Sequence, residues 1–250
     1  MPHFNSDGID IAYFDEGAGD PVLLIHGFAS NKEINWVGPS WVKTLTEAGY
    51  RAIGFDHRGH GASGKVYEPE LYNTACMAQD AKNLLDHLGL ERADLIGYSM
   101  GARVSAFMAL LFPHQVRSVV LGGLGIHLVD GVGLPQSIAD AMDAPSLDAV
   151  EDPMGRMFRA FADANKQDLK ALAACIRGSR QVLTPQEVGR IFQPVLVAVG
   201  TRDLVAGDPR PLAALLPDGE VLDIPNRDHN PAVGDKAFKR GVLEFLARRP

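Results

Sequence analysis

The sequence predicts an α/β fold in which a mostly parallel sheet carries helices on both faces. Short, continuous apolar runs such as residues 21–25 are typical of strands that are covered on both sides. These runs alternate with helix-like segments through short connections, the order expected of parallel strands joined by helices. The chain has 250 residues, which is enough for one large domain of this kind.

The first half of the chain contains six predicted strands. The first two flank Asp7-Gly8, a dipeptide that favours a tight hairpin. The strands cover residues 3–6, 9–14, 21–25, 51–55, 93–98 and 116–121. A helix is expected over residues 36–48, interrupted at Gly38-Pro39. Two more are expected, one capped by Asn73 and one that ends at Leu111, before a proline.

The strand pattern stops at Gly122-Gly123. Helical pieces are predicted around residues 134–142, 154–164, 169–177 and 185–191, before strands at 194–199 and 220–225 and a helix at 233–248. Open α/β sheets bind ligands at the carboxyl edge of their strands, so we expect the insert to cover that edge. The predicted domains are a core of residues 1–122 and 194–250 and a helical cap of residues 123–193. The alternative is a set of ordinary helices that flank the sheet.

A Gly-x-Ser-x-Gly motif, residues 97–101, follows the predicted strand at 93–98 and opens a helix. A serine at such a turn has a strained backbone, and glycines on either side leave room for its hydroxyl to project. The N-terminus of a helix also presents unpaired N–H groups that stabilise an oxyanion. Ser99 is therefore the candidate nucleophile.

A serine hydroxyl becomes a good nucleophile when an imidazole takes its proton and a carboxylate orients that imidazole. Asp203 and His229 each follow a late predicted strand, so they share the sheet edge with Ser99. The order nucleophile, acid, base along the chain supports this assignment. The rival acids are less suitable, because Asp208 lies further into its loop and Asp228 adjoins the histidine.

Oxyanion donors are predicted from two backbone positions. His26-Gly27-Phe28 ends the strand at 21–25, and the glycine lets backbone amides lie open beside a reaction centre. The N–H groups of Phe28 and Met100 are the candidate donors.

Other ligands are disfavoured. Residues 59–64 fit the dinucleotide pattern G-x-G-x-x-G, but no helix follows to hold a pyrophosphate. His57 and His60 with Asp56 could suggest a metal site, but a third convergent ligand is not evident, and they are interpreted as turn residues. The net charge is −7 with dispersed basic residues, which argues against nucleic acid. The sequence shows no secretory signal, and no apolar run approaches the roughly 18 residues that a membrane helix needs. We therefore expect a cytoplasmic protein without a membrane partner.

Five segments together resemble the α/β-hydrolase superfamily across nearly the whole chain. They are residues 22–28, 54–63, 96–102 and 199–203, and Asp228-His229. The resemblance implies an α/β-hydrolase fold: an eight-stranded, mostly parallel sheet flanked by helices, with a helical cap inserted after strand 6. It carries the roles of nucleophile, acid, base and the two oxyanion amides onto Ser99, Asp203, His229, Phe28 and Met100. Residues 30–35 lengthen the oxyanion loop, which makes Ala29 the alternative first donor.

The expected activity is hydrolysis of carboxylic esters or lactones of small to medium size through an acyl-enzyme on Ser99. A serine at this position argues against the haloalkane dehalogenase and epoxide hydrolase branches, which the chain resembles elsewhere. The expected partners are the acyl substrate and water, without a cofactor. The oligomeric state is not predicted.

Four other activities remain open at this stage. Thioester hydrolysis, perhydrolysis and carbon–carbon bond hydrolysis of β-diketone-like substrates would use the same three residues. Carbon–carbon bond hydrolysis needs cationic groups in the cap to anchor a carboxylated substrate. The candidates are Arg156, Arg159, Arg177 and Arg180, although each is more simply explained as a residue on a solvated helix face. A small-ligand receptor without turnover is the alternative outside catalysis.

Overall fold

The structure is a computed structural model that describes residues 1–131 and 135–249. These residues form an eight-stranded sheet whose strands are β1 (His3–Ser6), β2 (Ile9–Glu16), β3 (Asp20–Ile25), β4 (Tyr50–Phe55), β5 (Ala93–Tyr98), β6 (Val116–Gly122), β7 (Val195–Gly200) and β8 (Gly219–Ile224). Their spatial order is β1-β2-β4-β3-β5-β6-β7-β8. β2 pairs antiparallel with β1 and β4, and the other neighbouring strands pair in parallel. The predicted eight-stranded, mostly parallel sheet is confirmed.

Helices cover both faces of this sheet. They are α1 (Trp41–Glu47), α2 (Thr74–His87), α3 (Met100–Leu111), α4 (Ser137–Asp143), α5 (Pro153–Ala164), α6 (Leu169–Gly178), α7 (Pro185–Val188), α8 (Pro209–Leu215), α9 (His229–Ala232) and α10 (Lys236–Arg248). Successive side chains of a strand point to opposite faces. In β3, Leu23 and Ile25 join the apolar cluster with α2 and α3, whereas Val22 and Leu24 join the cluster with α1 and α10.

Two predicted helices have different bounds in the structure. The segment at residues 36–48 is a π-helix, Glu33–Val37, followed by α1, and the break falls at the predicted Gly38-Pro39. The terminal helix begins at Lys236 rather than residue 233, because the Asp235 side chain accepts the Ala237 N–H and caps it there.

Among the described residues between β6 and β7, helices alternate with loops, and α4 to α7 lie close to the predicted positions. Leu134, the predicted start of the first of these helices, lies outside the described residues. The division into a core and a cap stays a prediction. Within residues 1–131 and 135–249, no helix combines the length and apolarity needed to span a membrane.

A buried ion pair ties the loop after β3 to the loop after β4. Lys32 Nζ donates to Asp56 Oδ2 over 2.7 Å, and the Lys32 backbone N–H donates to Asp56 Oδ1 over 2.8 Å. The Ala62 N–H also donates to Asp56 Oδ2. Both side chains of the pair are 1% exposed, so each depends on the other for compensation of its charge.

Three buried histidines lie beside this pair. The His57 N–H donates to His26 Nε2 over 2.9 Å, so the proton of His26 is on Nδ1, which donates to the Gly27 carbonyl. Burial lowers the pKa of His26 to about 4 and that of His60 to about 3, and it places the pKa of His57 well below its usual value. The described part of the chain contains no cluster of three or more His, Cys, Asp or Glu side chains suited to a metal ion.

Replacing Lys32 by methionine should destabilise the fold by about 3–5 kcal/mol, because the Asp56 carboxylate would remain buried without its cation. Urea unfolding of Lys32→Met against the wild type measures this loss. Lys43→Met is the control, since the Lys43–Glu47 pair is exposed and should matter little. Equal effects of the two variants would contradict the assigned role of the pair.

Stability should fall as the pH drops below 6.5. Unfolded histidine binds a proton near pH 6.5, whereas His26 and His60 bind one in the folded state only near 4 and 3. Between these values the unfolded chain holds more protons, so each histidine lowers the free energy of unfolding by up to about 1.4 kcal/mol per pH unit.

Urea unfolding between pH 7.5 and 5 tests this dependence. His60→Gln should flatten the slope, whereas His114→Gln, at an exposed position, should leave it unchanged. A slope that is the same in all three proteins would exclude His60 as its source.

Candidate active site

The backbone at Ser99 is strained where β5 turns into α3. Its φ of 54° and ψ of −114° are unfavourable for a residue with a side chain. The flanking glycines make the turn possible: a Cβ at Gly97 would lie 2.3 Å from the Gly101 carbonyl oxygen, and one at Gly101 would lie 2.0 Å from that of Ile25. The local geometry is therefore the one expected from the Gly-x-Ser-x-Gly motif.

A chain of hydrogen bonds joins the three residues singled out in the sequence. His229 Nε2 lies 3.0 Å from Ser99 Oγ, and His229 Nδ1 lies 2.7 Å from Asp203 Oδ2. Asp203 Oδ1 accepts the backbone N–H groups of Val205 and Ala206. Since a carboxylate only accepts, Nδ1 of the histidine carries the proton and Nε2 is free to accept the serine proton.

The rival carboxylates lie elsewhere. Asp208 accepts the Arg210 N–H and caps α8, and Asp228 is an exposed residue before α9. Asp203 follows β7 and His229 follows β8, so the sheet brings both to the edge where Ser99 lies.

Tyr98 holds the backbone of His229 in place. Its buried hydroxyl donates to the His229 backbone carbonyl, and the two rings lie 5.5 Å apart. Burial, followed by the charge of Asp203, raises the pKa of Tyr98 well above its usual value, so the phenol stays a donor. The sequence analysis missed this residue, because only the fold brings Tyr98 to a histidine that is 131 positions away.

The two candidate oxyanion donors belong to the loop after β3 and to the start of α3. Phe28 lines the same cavity as Ser99, and Met100 is the first residue of α3. The alternative donor, Ala29, is buried and has a left-handed backbone with φ of 57°, which turns the loop directly after Phe28. The roles of these amides in binding an oxyanion stay predictions.

A cavity of about 260 Å³ opens onto Ser99 and His229. Its apolar lining consists of Phe28, Ile34, Pro39, Tyr98, Phe158, Phe161 and Val233. The polar residues besides Ser99 and His229 are Ser30, Asn35 and Asn230, with Asn35 the second residue that the sequence analysis missed. Phe158 and Phe161 belong to α5, so the helical segment between β6 and β7 supplies part of the wall.

Four arginines were considered as anchors for a carboxylated substrate. None of them is among the described residues that line this cavity. Each binds a partner in the helical segment. Arg156 and Arg159 donate to backbone carbonyls, Arg177 pairs with Asp143, and Arg180 contacts the Gln136 side chain. Arg159 is also buried, which differs from the solvated position expected for it.

Comparison with known proteins gives the family. A sequence profile described as alpha/beta hydrolase fold matches residues 20–144, half of the chain. The non-heme chloroperoxidase CPO-A1 of Kitasatospora aureofaciens is 28% identical, and the alignment covers 96% of this chain and 97% of that protein.

Solved structures agree with this result. A hydrolase from Pseudomonas aeruginosa PA01 superposes with a TM-score of 0.76 at 26% identity, covering 98% of this chain and 97% of the other. The enol-lactonase from Burkholderia xenovorans LB400 superposes with a TM-score of 0.80 over 99% of this chain and 100% of the other, and at 21% identity this likeness concerns the fold. The matched profile covers half of the chain, and the protein therefore belongs to the alpha/beta hydrolase fold family.

Proposed function

We propose that the protein is a serine hydrolase that cleaves carboxylic esters or lactones of small to medium size. The observation that carries this proposal is the unbroken hydrogen-bond chain from Asp203 through His229 to Ser99, which ends in a largely apolar cavity. Such a chain supplies a nucleophile, its base and the group that orients the base. The same three residues would be catalytic.

The proposed reaction has two halves. In the first, Ser99 Oγ attacks the ester carbonyl carbon while His229 Nε2 takes the hydroxyl proton. The N–H groups of Phe28 and Met100 stabilise the oxyanion, and the proton on Nε2 passes to the leaving alcohol oxygen as the C–O bond breaks.

In the second half, His229 removes a proton from water, and the hydroxide attacks the acyl carbon. The proton returns to Ser99 Oγ as the acid is released. Asp203 keeps the imidazole in the required tautomer and stabilises its charged form in both halves. The reaction consumes only the ester and water, so the chemistry calls for no cofactor.

The cavity supports a substrate of limited size. Its volume of about 260 Å³ holds a short acyl chain, and the aromatic rings of α5 offer that chain an apolar surface. We accordingly propose that the helical segment acts as a cap over the acyl group.

Perhydrolysis is the second candidate, in which hydrogen peroxide replaces water and the acyl group leaves as a peracid. It is favoured by the relative named as a non-heme chloroperoxidase, whose match extends over nearly the full length of both chains. Carbon–carbon bond hydrolysis is less well supported, because the four candidate arginines bind other partners.

Ser99→Ala should lower kcat/KM for 4-nitrophenyl butyrate by about 10⁴-fold or more, since the nucleophile is lost. A panel of 4-nitrophenyl esters of rising acyl length, with lactones and a thioester, measures the loss and the preferred chain. Ser146→Ala, at an exposed serine, is the control and should keep full activity.

Peracid formed from ester and peroxide in the same panel would favour the second candidate. Ligand binding without turnover of any ester would instead indicate a receptor.

Phe161→Ala should shift the preferred acyl chain to greater length, because the removed ring leaves room in the cavity. Two further buried methylene groups contribute about 1.6 kcal/mol, so kcat/KM for the hexanoate should rise about 15-fold relative to the butyrate. Phe192→Ala is the control, since Phe192 is exposed and lies outside the cavity lining. An unchanged preference in Phe161→Ala would mean that the acyl chain binds elsewhere.

A further inference from the structure

Asn35 places a buried carboxamide in the wall of the cavity that contains Ser99. The residue is 5% exposed, and its Oδ1 lies 3.0 Å from the backbone nitrogen of Gly27. A backbone N–H only donates, so the atom that faces it is the oxygen and the other end of the carboxamide is the NH₂ group.

That NH₂ group, Nδ2, has no hydrogen-bond partner among the residues that the structure describes. Two carboxamides elsewhere in the fold are paired at both ends. Gln167 accepts the Gly61 N–H and donates to the Ser30 carbonyl, and Gln181 accepts from Thr74 and donates to the Gly178 carbonyl. Buried donors in native proteins have partners as a rule, so Nδ2 is available to an acceptor that a ligand in this cavity could supply.

The local backbone is unusual at this position. Asn35 is the middle residue of the π-helix Glu33–Val37, and single π-turns occur often at functional sites. The wider turn buries Trp36 in the core next to α1 while Asn35 lines the cavity. The loop thus gives a carboxamide to the wall without disturbing the packing behind it.

The carboxamide is also close to the reacting serine. A Cβ atom placed on Gly27 would lie 3.4 Å from Ser99 Cβ and 3.7 Å from Asn35 Oδ1, so the serine and the carboxamide are both next to Gly27. The first carbon atoms of an acyl group attached to Ser99 would therefore be within reach of this wall. Beyond them the cavity is bounded by the apolar side chains of α5.

We propose that Asn35 Nδ2 donates a hydrogen bond to an oxygen atom on the acyl group close to the scissile carbonyl. This inference rests on the proposed ester hydrolysis. The preferred substrates are esters whose acyl group carries an oxo, hydroxy or alkoxy oxygen at position 2 or 3 and is apolar beyond it. Asn35 is a specificity-determining residue in this scheme, because its oxygen holds Gly27 and its nitrogen selects the substrate.

The test compares 4-nitrophenyl methoxyacetate with 4-nitrophenyl butyrate, which differ by an oxygen in place of one methylene group at position 3. The ratio of their kcat/KM values is measured in the wild type, in Asn35→Asp and in Asn35→Ala. Asn35→Asp keeps the acceptor for the Gly27 N–H but lacks the NH₂ donor, and Asn35→Ala adds no charge. The intrinsic reactivities of the two esters are the same in every protein, so they cancel when the ratios are compared. Since the hydrogen bond to the ether oxygen is lost, the ratio of kcat/KM for methoxyacetate to that for butyrate should fall about three- to tenfold in each variant.

Asn5→Asp is the matched control. Asn5 Oδ1 also accepts a glycine N–H over 3.0 Å, from Gly8, but at an exposed turn between β1 and β2. Its ratio should equal that of the wild type. A ratio that is also unchanged in both Asn35 variants, with both esters hydrolysed, would overturn the Asn35 proposal and leave the proposed activity standing.

Failure of the activity itself has a different signature. If the wild type hydrolyses neither ester, ester hydrolysis is rejected, and binding of the two corresponding 4-nitroanilides then decides the role of Asn35. A tighter Kd for the methoxyacetyl anilide that is lost in Asn35→Asp and Asn35→Ala supports the subsite. Equal preferences in the three proteins overturn it.

Discussion

The strained turn at Ser99 is the constraint on which the rest of the site depends. Its backbone persists because β5 is a fully buried central strand, paired with β3 on one side and β6 on the other. The turn also fixes its surroundings, since Gly101 approaches the end of β3 too closely for any side chain. The loop that begins at Gly27 is consequently held against the first turn of α3, and the two candidate oxyanion amides belong to these two segments.

Different contacts hold the loops at the carboxyl edge of the sheet. Backbone N–H groups hold Asp203, and the Tyr98 hydroxyl holds the backbone of His229. The buried ion pair of Lys32 and Asp56 joins the loop after β3 to the loop after β4, and there each charge compensates the other. The helical segment adds aromatic side chains from outside the sheet. The residues proposed for the reaction thus lie at strand ends, whereas the side chains proposed to select the substrate lie on α5 and in the π-helix Glu33–Val37.

The sequence was informative where the chemistry is local along the chain. Ser99 is specified by five consecutive residues. Asp203 was preferred to Asp208, which lies further into its loop, and to Asp228, which adjoins His229. Asn35 and Tyr98 were missed because their partners, Gly27 and His229, are set by tertiary packing rather than by spacing. The π-helix was also beyond prediction, since a pattern with a period of 3.6 residues does not reveal one wider turn. The burial of Arg159 was not foreseen, because tertiary packing brings it to the carbonyl groups of Ala141 and Ala144.

The bond between Ser99 and His229 spans 130 positions of the chain. Contacts so distant in sequence form only after long loops have closed, which makes them late events in folding. During synthesis the serine and its turn emerge well before the strand β8 that brings the histidine. A nascent or truncated chain therefore carries Ser99 without the histidine that contacts it, and the hydrogen bond between them forms only when the sheet has closed through its last strand.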